Sequence, residues 1–237
     1  MAEPNASRHA ITHGPSFAML RVDLTAGDTV VAESGALVAR HPDVSMDVRL
    51  NAGRHAGFFA KLRALFVALL RKVIGGETFF VNHFRGERAG SVWLAPALSG
   101  QIVHRRLDGT SKLVLVAGAY LASMGDVDMR LKWGGVRGLL SKEGLFFLEM
   151  GGAGDLWFTS YGGIVPIDVR GSYVVDNGHL VGYEGGLSFR VRSAGGGFMG
   201  LVASGEGLVC EFRGEGRVYV QSRNVDALAG WLAPLLG

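Results

Sequence analysis

Cysteine and proline are scarce in this sequence, and each scarcity narrows the fold classes that fit it. Cys210 is the only cysteine among 237 residues, so no disulfide framework can form and we expect a reducing compartment. Six prolines stand against 37 glycines, without a collagen-like repeat. This composition indicates many tight turns between short elements.

Long apolar runs and a large excess of charge are also missing. No uninterrupted apolar run approaches the roughly 18 residues of a membrane-spanning helix, and residues 1–15 contain no apolar stretch typical of a secretory signal. The net charge of +3 is small for a nucleic-acid-binding polyelectrolyte, although a mildly basic chain can touch an anionic surface. Hydrophobic residues make up 48% of the chain and charged residues 19%, which excludes wholesale disorder. We therefore expect a cytoplasmic protein with a large core.

A strand–glycine–strand pattern occurs three times and organises the chain. Each copy begins with a glutamate, runs through an apolar strand, breaks at a glycine and resumes in a strand that contains an aromatic residue. We interpret each copy as a hairpin. The glutamates are Glu77, Glu143 and Glu206, the breaking glycines are Gly86, Gly152 and Gly214, and the aromatic residues are Trp93, Trp157 and Tyr219.

A second set of landmarks keeps the same register. Gly35, Gly118 and Gly178 each precede a short strand, and the eleventh residue after each is Met46, Met129 or Phe189. Landmarks in register indicate a duplicated module, with units at residues 15–97, 98–161 and 162–224. Short strands rich in Val, Leu and Phe between glycine turns favour an all-β sandwich or barrel. Because one such unit can bury a face only against its neighbours, we predict one compact domain with pseudo-threefold symmetry.

Two segments depart from the β pattern. Residues 56–74 predict an amphipathic helix inserted in the first unit, and residues 225–237 predict a short C-terminal helix capped by Asn224 or Asp226. The insert could dock on an anionic membrane surface, or it could pack on the sandwich or form an oligomer contact. Its apolar face comprises Phe58, Leu62, Leu65, Phe66, Leu69 and Val73, and its cationic residues are Lys61, Arg71 and Lys72.

The ordered set of motifs resembles the altered-inheritance-of-mitochondria protein 24 family over residues 15–224. The resemblance implies three tandem copies of the fold of the tryptophan RNA-binding attenuation protein, a β-sandwich related to the double-stranded β-helix. It implies no catalytic residue. The motifs that carry it are ESGALV at 33–38, GGETFF at 75–80, EGLFF at 143–147, GEGL at 205–208 and QSR at 221–223.

Residue patterns typical of enzymes are missing from the sequence. It has no nucleophile elbow or phosphate-binding loop, and its seven histidines show no metal-ligand spacing. Glu77, Glu143 and Glu206 could ring a cation on a threefold axis, but without Asp or His partners we expect them to cap turns or pair with arginine. We therefore expect no catalytic residue, no metal and no cofactor.

These observations predict a non-enzymatic scaffold or interaction protein that forms homo-oligomers. Its helical insert could place it at the inner face of a membrane. Two alternatives stay open. The recurring aromatic residues Trp93, Trp157 and Tyr219 could stack RNA bases, as fold analogy suggests, although a shared core position explains their recurrence more simply and we do not expect nucleic acid as a partner. The chain could also bind a metal or a small ligand, whose identity the sequence leaves unknown.

Overall fold

The computed structural model describes residues 8–50, 80–133, 146–193 and 208–235, and these ranges consist mainly of β-strands. The prediction of an all-β fold with a short C-terminal helix is confirmed. The strands are β1 (His9–Thr12), β2 (Met19–Leu24), β3 (Thr29–Glu33), β4 (Leu37–Arg40), β5 (Val44–Leu50), β6 (Phe80–Gly86), β7 (Gly90–Leu94), β8 (Ile102–Asp108), β9 (Leu113–Val116), β10 (Tyr120–Trp133), β11 (Phe146–Thr159), β12 (Ile164–Asp176), β13 (Leu180–Glu184), β14 (Ser188–Ser193) and β15 (Leu208–Gln221), and the helix is α1 (Val225–Leu232).

The C-terminal helix begins at a side-chain cap. Asn224 Oδ1 accepts hydrogen bonds from the backbone N–H groups of Asp226, at 2.8 Å, and Ala227, at 3.3 Å. An N-cap oxygen satisfies amide groups that the first helical turn leaves without partners. Asn224, and not Asp226, is therefore the cap. None of the helices in the described ranges is long and apolar enough to cross a membrane.

Four long strands bend at glycine. Strands β10, β11, β12 and β15 each contain a glycine with positive φ near the middle: Gly125 (+99°), Gly152 (+81°), Gly171 (+92°) and Gly214 (+119°). Residues with a Cβ rarely adopt this conformation, whereas glycine does so readily. Each strand therefore changes direction without ending. The two halves of β11 pair with β8 and β9, and those of β15 pair with β13 and β14, whereas β12 pairs with β15 along its whole length.

The interpretation of the strand–glycine–strand pattern as a hairpin is wrong. The halves of β11 on either side of Gly152 pair with β9 and β8, and not with each other. In the first unit the corresponding strands β6 and β7 pair with β3 and β2 respectively. The glycine bends the chain from one set of strand partners to another instead of reversing it.

Each unit forms two half-sheets, with the two halves of every long strand counted separately. The first half-sheets have the strand orders β2-β7-β4, β8-β11-β10 and β12-β15-β13. The second half-sheets have the orders β3-β6-β5, β9-β11-β10 and β12-β15-β14. Strand β1 extends the first half-sheet of unit 1 by pairing with β2.

The strand register recurs from unit to unit. In the second half-sheets the landmark residues Met46, Met129 and Phe189 face Phe84, Met150 and Phe212 across the central strand. The first half-sheets share a register shift in their third strand, between Leu37 and Ala39, Tyr120 and Ala122, and Leu180 and Gly182. A one-residue slip would turn every side chain to the opposite face, so the units place corresponding residues on corresponding faces. The unit boundaries and the pseudo-threefold symmetry stay predictions.

The apolar core crosses the unit boundaries. Trp157 and Leu121 of unit 2 pack in one cluster with Phe84 of unit 1. Tyr219 of unit 3 packs in a second cluster with Phe158 and other residues of unit 2, their ring centroids lying 5.3 Å apart. Since a half-buried sheet needs a covering layer to exclude water, each unit completes its core with its neighbour.

Candidate functional site

Neighbouring units are joined by direct strand pairing, and the first such contact, junction 1, lies between β3 and β10. Ala32 faces Ala122 and Val31 faces Ser123 in an antiparallel ladder. The hydroxyl of Tyr120 also donates a hydrogen bond to the carbonyl oxygen of Val31 at 2.9 Å. The second half-sheet of unit 1 and the first half-sheet of unit 2 thus form one continuous sheet.

Junction 2 joins unit 2 to unit 3 through β9 and β13 in the same register. Leu115 faces Gly182 and Val114 faces Tyr183, and Gly182 follows the register shift of its strand as Ala122 does at junction 1. A Cβ at Gly182 would lie 2.6 Å from the carbonyl oxygen of Val114. Glycine is therefore required there for the close approach of the two strands.

Two strand segments correspond to the strands of junctions 1 and 2 but have a hydrogen-bonded neighbour on only one side in the described structure. Strand β4 pairs with β7 and corresponds to the third strands that form junctions 1 and 2. Residues 172–176 of β12 pair with β15 and correspond to β3 and β9. Within the described ranges neither has a second hydrogen-bonded neighbour, so each is an edge. We call them the β4 edge and the β12 edge.

Both edges expose side chains that the junctions bury. Val38 of the β4 edge is 53% exposed, whereas its counterparts Leu121 and Val181 are 0% and 1% exposed. Val174 of the β12 edge is 43% exposed, whereas its counterpart Val114 at junction 2 is 2% exposed and its counterpart Val31 at junction 1 is partly buried. Apolar side chains on an uncovered strand edge are typical of surfaces that pair with another chain.

The landmark glycines all precede the third strands of the first half-sheets. Gly35 lies two residues before β4 and has a φ of +91°. Gly118 and Gly178 lie in short 3-10 turns, two residues before β10 and β13. These turns precede the strands that form the two junctions and the β4 edge, so the landmark glycines mark corresponding strands of the fold.

The recurring aromatic residues lie opposite small residues of those same strands. Trp157 and Tyr219 are 1% and 6% exposed, in agreement with the expected core position. Trp93 is only half-buried, and the guanidinium of Arg21 lies 5.7 Å from the centre of its ring. The facing pairs are Trp93 with Ala39, Trp157 with Ala122, and Tyr219 with Gly182.

A charged cleft beside junction 2 is lined by equal numbers of basic and acidic side chains, and four of them form pairs. The lining residues are Arg105, Arg170, Arg217, Asp168, Glu184 and Glu215. The Arg105 side chain contacts Glu184 at 3.5 Å and the hydroxyl of Tyr219 at 3.5 Å. The Arg217 Nε donates to Asp168 at 2.8 Å, and its backbone N–H donates to Glu184 at 3.2 Å. A cleft of paired opposite charges offers no net charge to select one ligand.

A second polar cluster surrounds Trp157 and was not foreseen from sequence. The rings of His9 and His104 lie 4.3 Å apart, and the Asp155 carboxylate contacts His104 at 2.8 Å and Arg106 at 2.6 Å. Burial lowers the pKa of His9. Burial would raise the pKa of Asp155, but the hydrogen bonds from His104 and Arg106 outweigh it and the pKa lies below its usual value. Residues so far apart in sequence meet only through strand pairing, which spacing could not reveal.

Other predicted chemistry is either buried or beyond the described ranges. Cys210 is fully buried, and burial raises the pKa of its thiol to about 12, so it behaves as a core residue and not as a nucleophile. Among the described residues no group of three or more His, Cys, Asp or Glu is arranged to hold a metal ion. The predictions for Glu77, Glu143 and Glu206 and for the insert at residues 56–74 lie outside the described residues. The insert residues named above are Phe58, Lys61, Leu62, Leu65, Phe66, Leu69, Arg71, Lys72 and Val73.

Comparison with known proteins identifies a family over nearly the whole chain. The chain is 31% identical over 231 residues to an uncharacterized protein of Streptococcus pyogenes serotype M6, with 96% of this chain and 90% of that protein aligned. It is also similar to the crystal structure of a Streptococcus pyogenes protein, with a TM-score of 0.78 and 30% identity, covering 96% of this chain and 99% of the other. The family model for mitochondrial biogenesis AIM24 matches residues 9–223. The chain therefore belongs to the AIM24 family, as its ordered motifs indicate.

Proposed function

We propose that this chain is a non-enzymatic scaffold that assembles with further copies of itself. The observation that carries the proposal is the pair of open strand edges, which expose apolar side chains whose counterparts are buried at junctions 1 and 2. A strand edge is a template for pairing with another strand, and proteins that keep one uncovered commonly use it for assembly.

Light scattering after size exclusion tests the assembly. The wild-type chain is expected to elute at a mass of two or more copies at micromolar concentration and to dissociate on dilution. A variant lacking residues 56–74 serves as the control, because it separates assembly through the β body from assembly through the insert. A single-copy mass for the wild type at every concentration would overturn the proposal.

A peripheral membrane association of the insert forms the second part of the proposal. The sequence of residues 56–74 places apolar residues on one helical face beside lysine and arginine, the pattern of a helix that lies in a lipid interface. Flotation with vesicles containing anionic lipid is the test, and the wild type is expected to float. Leu65→Asp should abolish flotation, whereas Val165→Asp, at a site 51% exposed on β12, should not. Flotation that is absent, or unchanged by Leu65→Asp, would reject this part.

RNA binding and ligand binding stay alternatives that the described residues do not favour. Base stacking needs accessible aromatic faces, and two of the three recurring aromatic residues, Trp157 and Tyr219, are buried in the core. In the charged cleft beside junction 2, Arg105 pairs with Glu184 and Arg217 pairs with Asp168. A scaffold is the function that the open edges support best.

A further inference from the structure

The two junctions inside the chain follow one register. At junction 1 the small residue after the register shift of the third strand, Ala122, faces Ala32 of the preceding unit. At junction 2 the residue in that position, Gly182, faces Leu115. The two junctions thus join corresponding strands in the same register, and together they define how one unit pairs with the next.

The β4 edge and the β12 edge each carry one half of that contact. Strand β4 has the same shift, between Leu37 and Ala39, so Ala39 corresponds to Ala122 and Gly182. On the β12 edge Val175 corresponds to Ala32 and Leu115. Ala32, Leu115 and Val175 occupy the same place in their strands. Each lies two residues after the residue that pairs with Phe84, Met150 or Phe212 of the central strand.

We infer that the β12 edge of one copy of this chain pairs antiparallel with the β4 edge of the next copy, with Val175 opposite Ala39 and Val174 opposite Arg40. The inference rests on the proposed self-assembly and specifies its surface, its partner and its register. The contact continues an interface that the chain already forms twice.

Side-chain size at the central position fits this pairing. Junction 1 places Ala32 opposite Ala122, and junction 2 places Leu115 opposite Gly182. At least one member of each pair is no larger than alanine, which lets the backbones approach. Ala39 opposite Val175 keeps this property, so the intermolecular ladder can form at the same spacing as the internal ones.

Burial of the remaining exposed groups also agrees with the pairing. Pairing by the junction register sets Asp176 opposite Val38, and no two like charges face each other in this register. The half-buried Trp93 lies in the same half-sheet as the β4 edge, and its counterpart Trp157 is buried partly by residues of the preceding unit. In the assembly, unit 3 of the preceding copy would cover Trp93, as unit 1 covers Trp157 within the chain.

The pairing is head to tail, since two different edges meet. A contact of this kind leaves one edge of each kind unpaired in every open assembly, and it closes into a ring when the rotation between copies divides a full turn. The number of copies is therefore set by the rotation at the contact. It is read from the mass of the assembly.

Cysteine cross-linking tests the register. The single variants Arg40→Cys and Val174→Cys are mixed, oxidised mildly, blocked with a thiol reagent and run without reductant. Facing residues of an antiparallel pair lie within the Cα separation that a disulfide requires, about 4.4–6.8 Å. The mixture is expected to yield a cross-linked dimer. Buried Cys210 is present in every variant and serves as the background.

The matched control slips the register by one residue. Tyr173 and Val174 are both 43% exposed, so Arg40→Cys mixed with Tyr173→Cys presents equally accessible thiols on opposite faces of the ladder. The facing mixture should give at least about tenfold more dimer than the slipped mixture. Equal yields would overturn the register. If Arg40→Cys/Val174→Cys in one chain gave only an internally bridged single copy, the pairing would be within the chain and the inference would fail.

A charge at the contact provides a second measurement. Val38→Asp places a carboxylate where the counterparts Leu121 and Val181 are buried, while Val165→Asp places one at a similarly exposed site, 51% against 53%, at the opposite end of β12 from the β12 edge. Light scattering should show a loss of assembly for Val38→Asp alone. Assembly that persists in Val38→Asp would reject this contact and leave the proposed self-assembly intact. A wild type of single-copy mass would reject both.

Discussion

The internal junctions and the two open edges use corresponding strands but differ in what covers them. Leu121 and Val181 lie under a paired neighbouring strand and are 0% and 1% exposed, whereas Val38 in the corresponding place is 53% exposed. The local pairing is the same in all three cases, down to the register shift at the start of the strand. Exposure at this position is thus decided by the neighbouring unit and not by the strand itself.

The comparison separates two roles of one surface. Inside the chain, the surface holds units together and belongs to the folded core. At the β4 edge and the β12 edge, the corresponding surface is exposed in the single chain. A substitution at a junction should therefore affect folding, while the corresponding substitution at an edge should affect association. The predictions below test this division, beginning with the largest effect.

A buried charge at a junction should unfold the protein. Leu121→Asp would place a carboxylate without a partner among the apolar residues that join units 1 and 2. We expect a loss of about 4 kcal/mol or more in the free energy of unfolding, or no folded protein. Val38→Asp should cost less than about 1 kcal/mol, because its side chain is in water in the single chain. Urea denaturation at a concentration that disfavours assembly measures both, and equal losses would contradict the division of roles.

A methyl group at the close contact of junction 2 should also destabilise the fold. In Gly182→Ala the new Cβ would lie 2.6 Å from a backbone oxygen and 2.8 Å from Leu115, so the strands must separate. A cost of about 2 kcal/mol is expected, as for other overpacked sites. Gly186→Ala is the control, since no atom lies within 4 Å of a Cβ there. The thermal midpoint should fall for the first variant and stay or rise slightly for the second.

Local chemistry explains which parts of the fold the sequence could predict. The turn glycines Gly35, Gly118 and Gly178 precede strands as expected, and Gly35 does so with a φ of +91°, which glycine adopts readily. Asn224 caps the terminal helix for an equally local reason. The aromatic landmarks Trp157 and Tyr219 lie in the core because their strands keep one face buried. Each of these features depends on a few neighbouring residues.

Long-range pairing explains what the sequence could not predict. A glycine such as Gly152 suits a reversal and a bend equally well, and only the partners of the two strand halves distinguish them. Junction 2 sets Leu115 opposite Gly182, and no local signal links the two residues. The open edges become visible only once the junctions are known, so the candidate site follows from topology and not from a motif.

Two glutamates extend the comparison to electrostatics. Burial would raise the pKa of Glu149, but hydrogen bonds from Lys132 and Lys112 outweigh it and hold the pKa below its usual value. Glu211 has the corresponding position in the half-sheet that ends at the β12 edge, and Arg213 holds its pKa low. Glu149 lies in the half-sheet covered at junction 2, where its side chain is 8% exposed.

The pH dependence of stability should differ between these glutamates. Glu149→Gln should cost about 1–2 kcal/mol at pH 7, because it removes a charge-assisted contact with two lysines. A carboxyl with a lowered pKa stabilises the fold above the pKa of the unfolded state, near 4.3, and loses this effect as pH falls through its folded pKa. The difference between wild type and Glu149→Gln in urea titrations should shrink from pH 7 towards pH 3. Glu211→Gln should have a smaller effect, and a larger one would contradict the comparison.

A single hydroxyl distinguishes junction 1 from junction 2. Tyr120 donates to the carbonyl oxygen of Val31 across junction 1, whereas the corresponding residue at junction 2 is Leu180, which has no donor. Tyr120→Phe removes this bond and also the hydrogen bond of the same hydroxyl with Ser123 Oγ at 3.0 Å, so it should lower the free energy of unfolding by about 1–2 kcal/mol. Tyr173→Phe, at a side chain 43% exposed, should change nothing measurable. At the β4 edge Leu37 corresponds to Tyr120 and carries no hydroxyl. The proposed contact between copies therefore has to form through strand pairing and apolar burial alone. A small effect of Tyr120→Phe would mean that these two interactions suffice to join units.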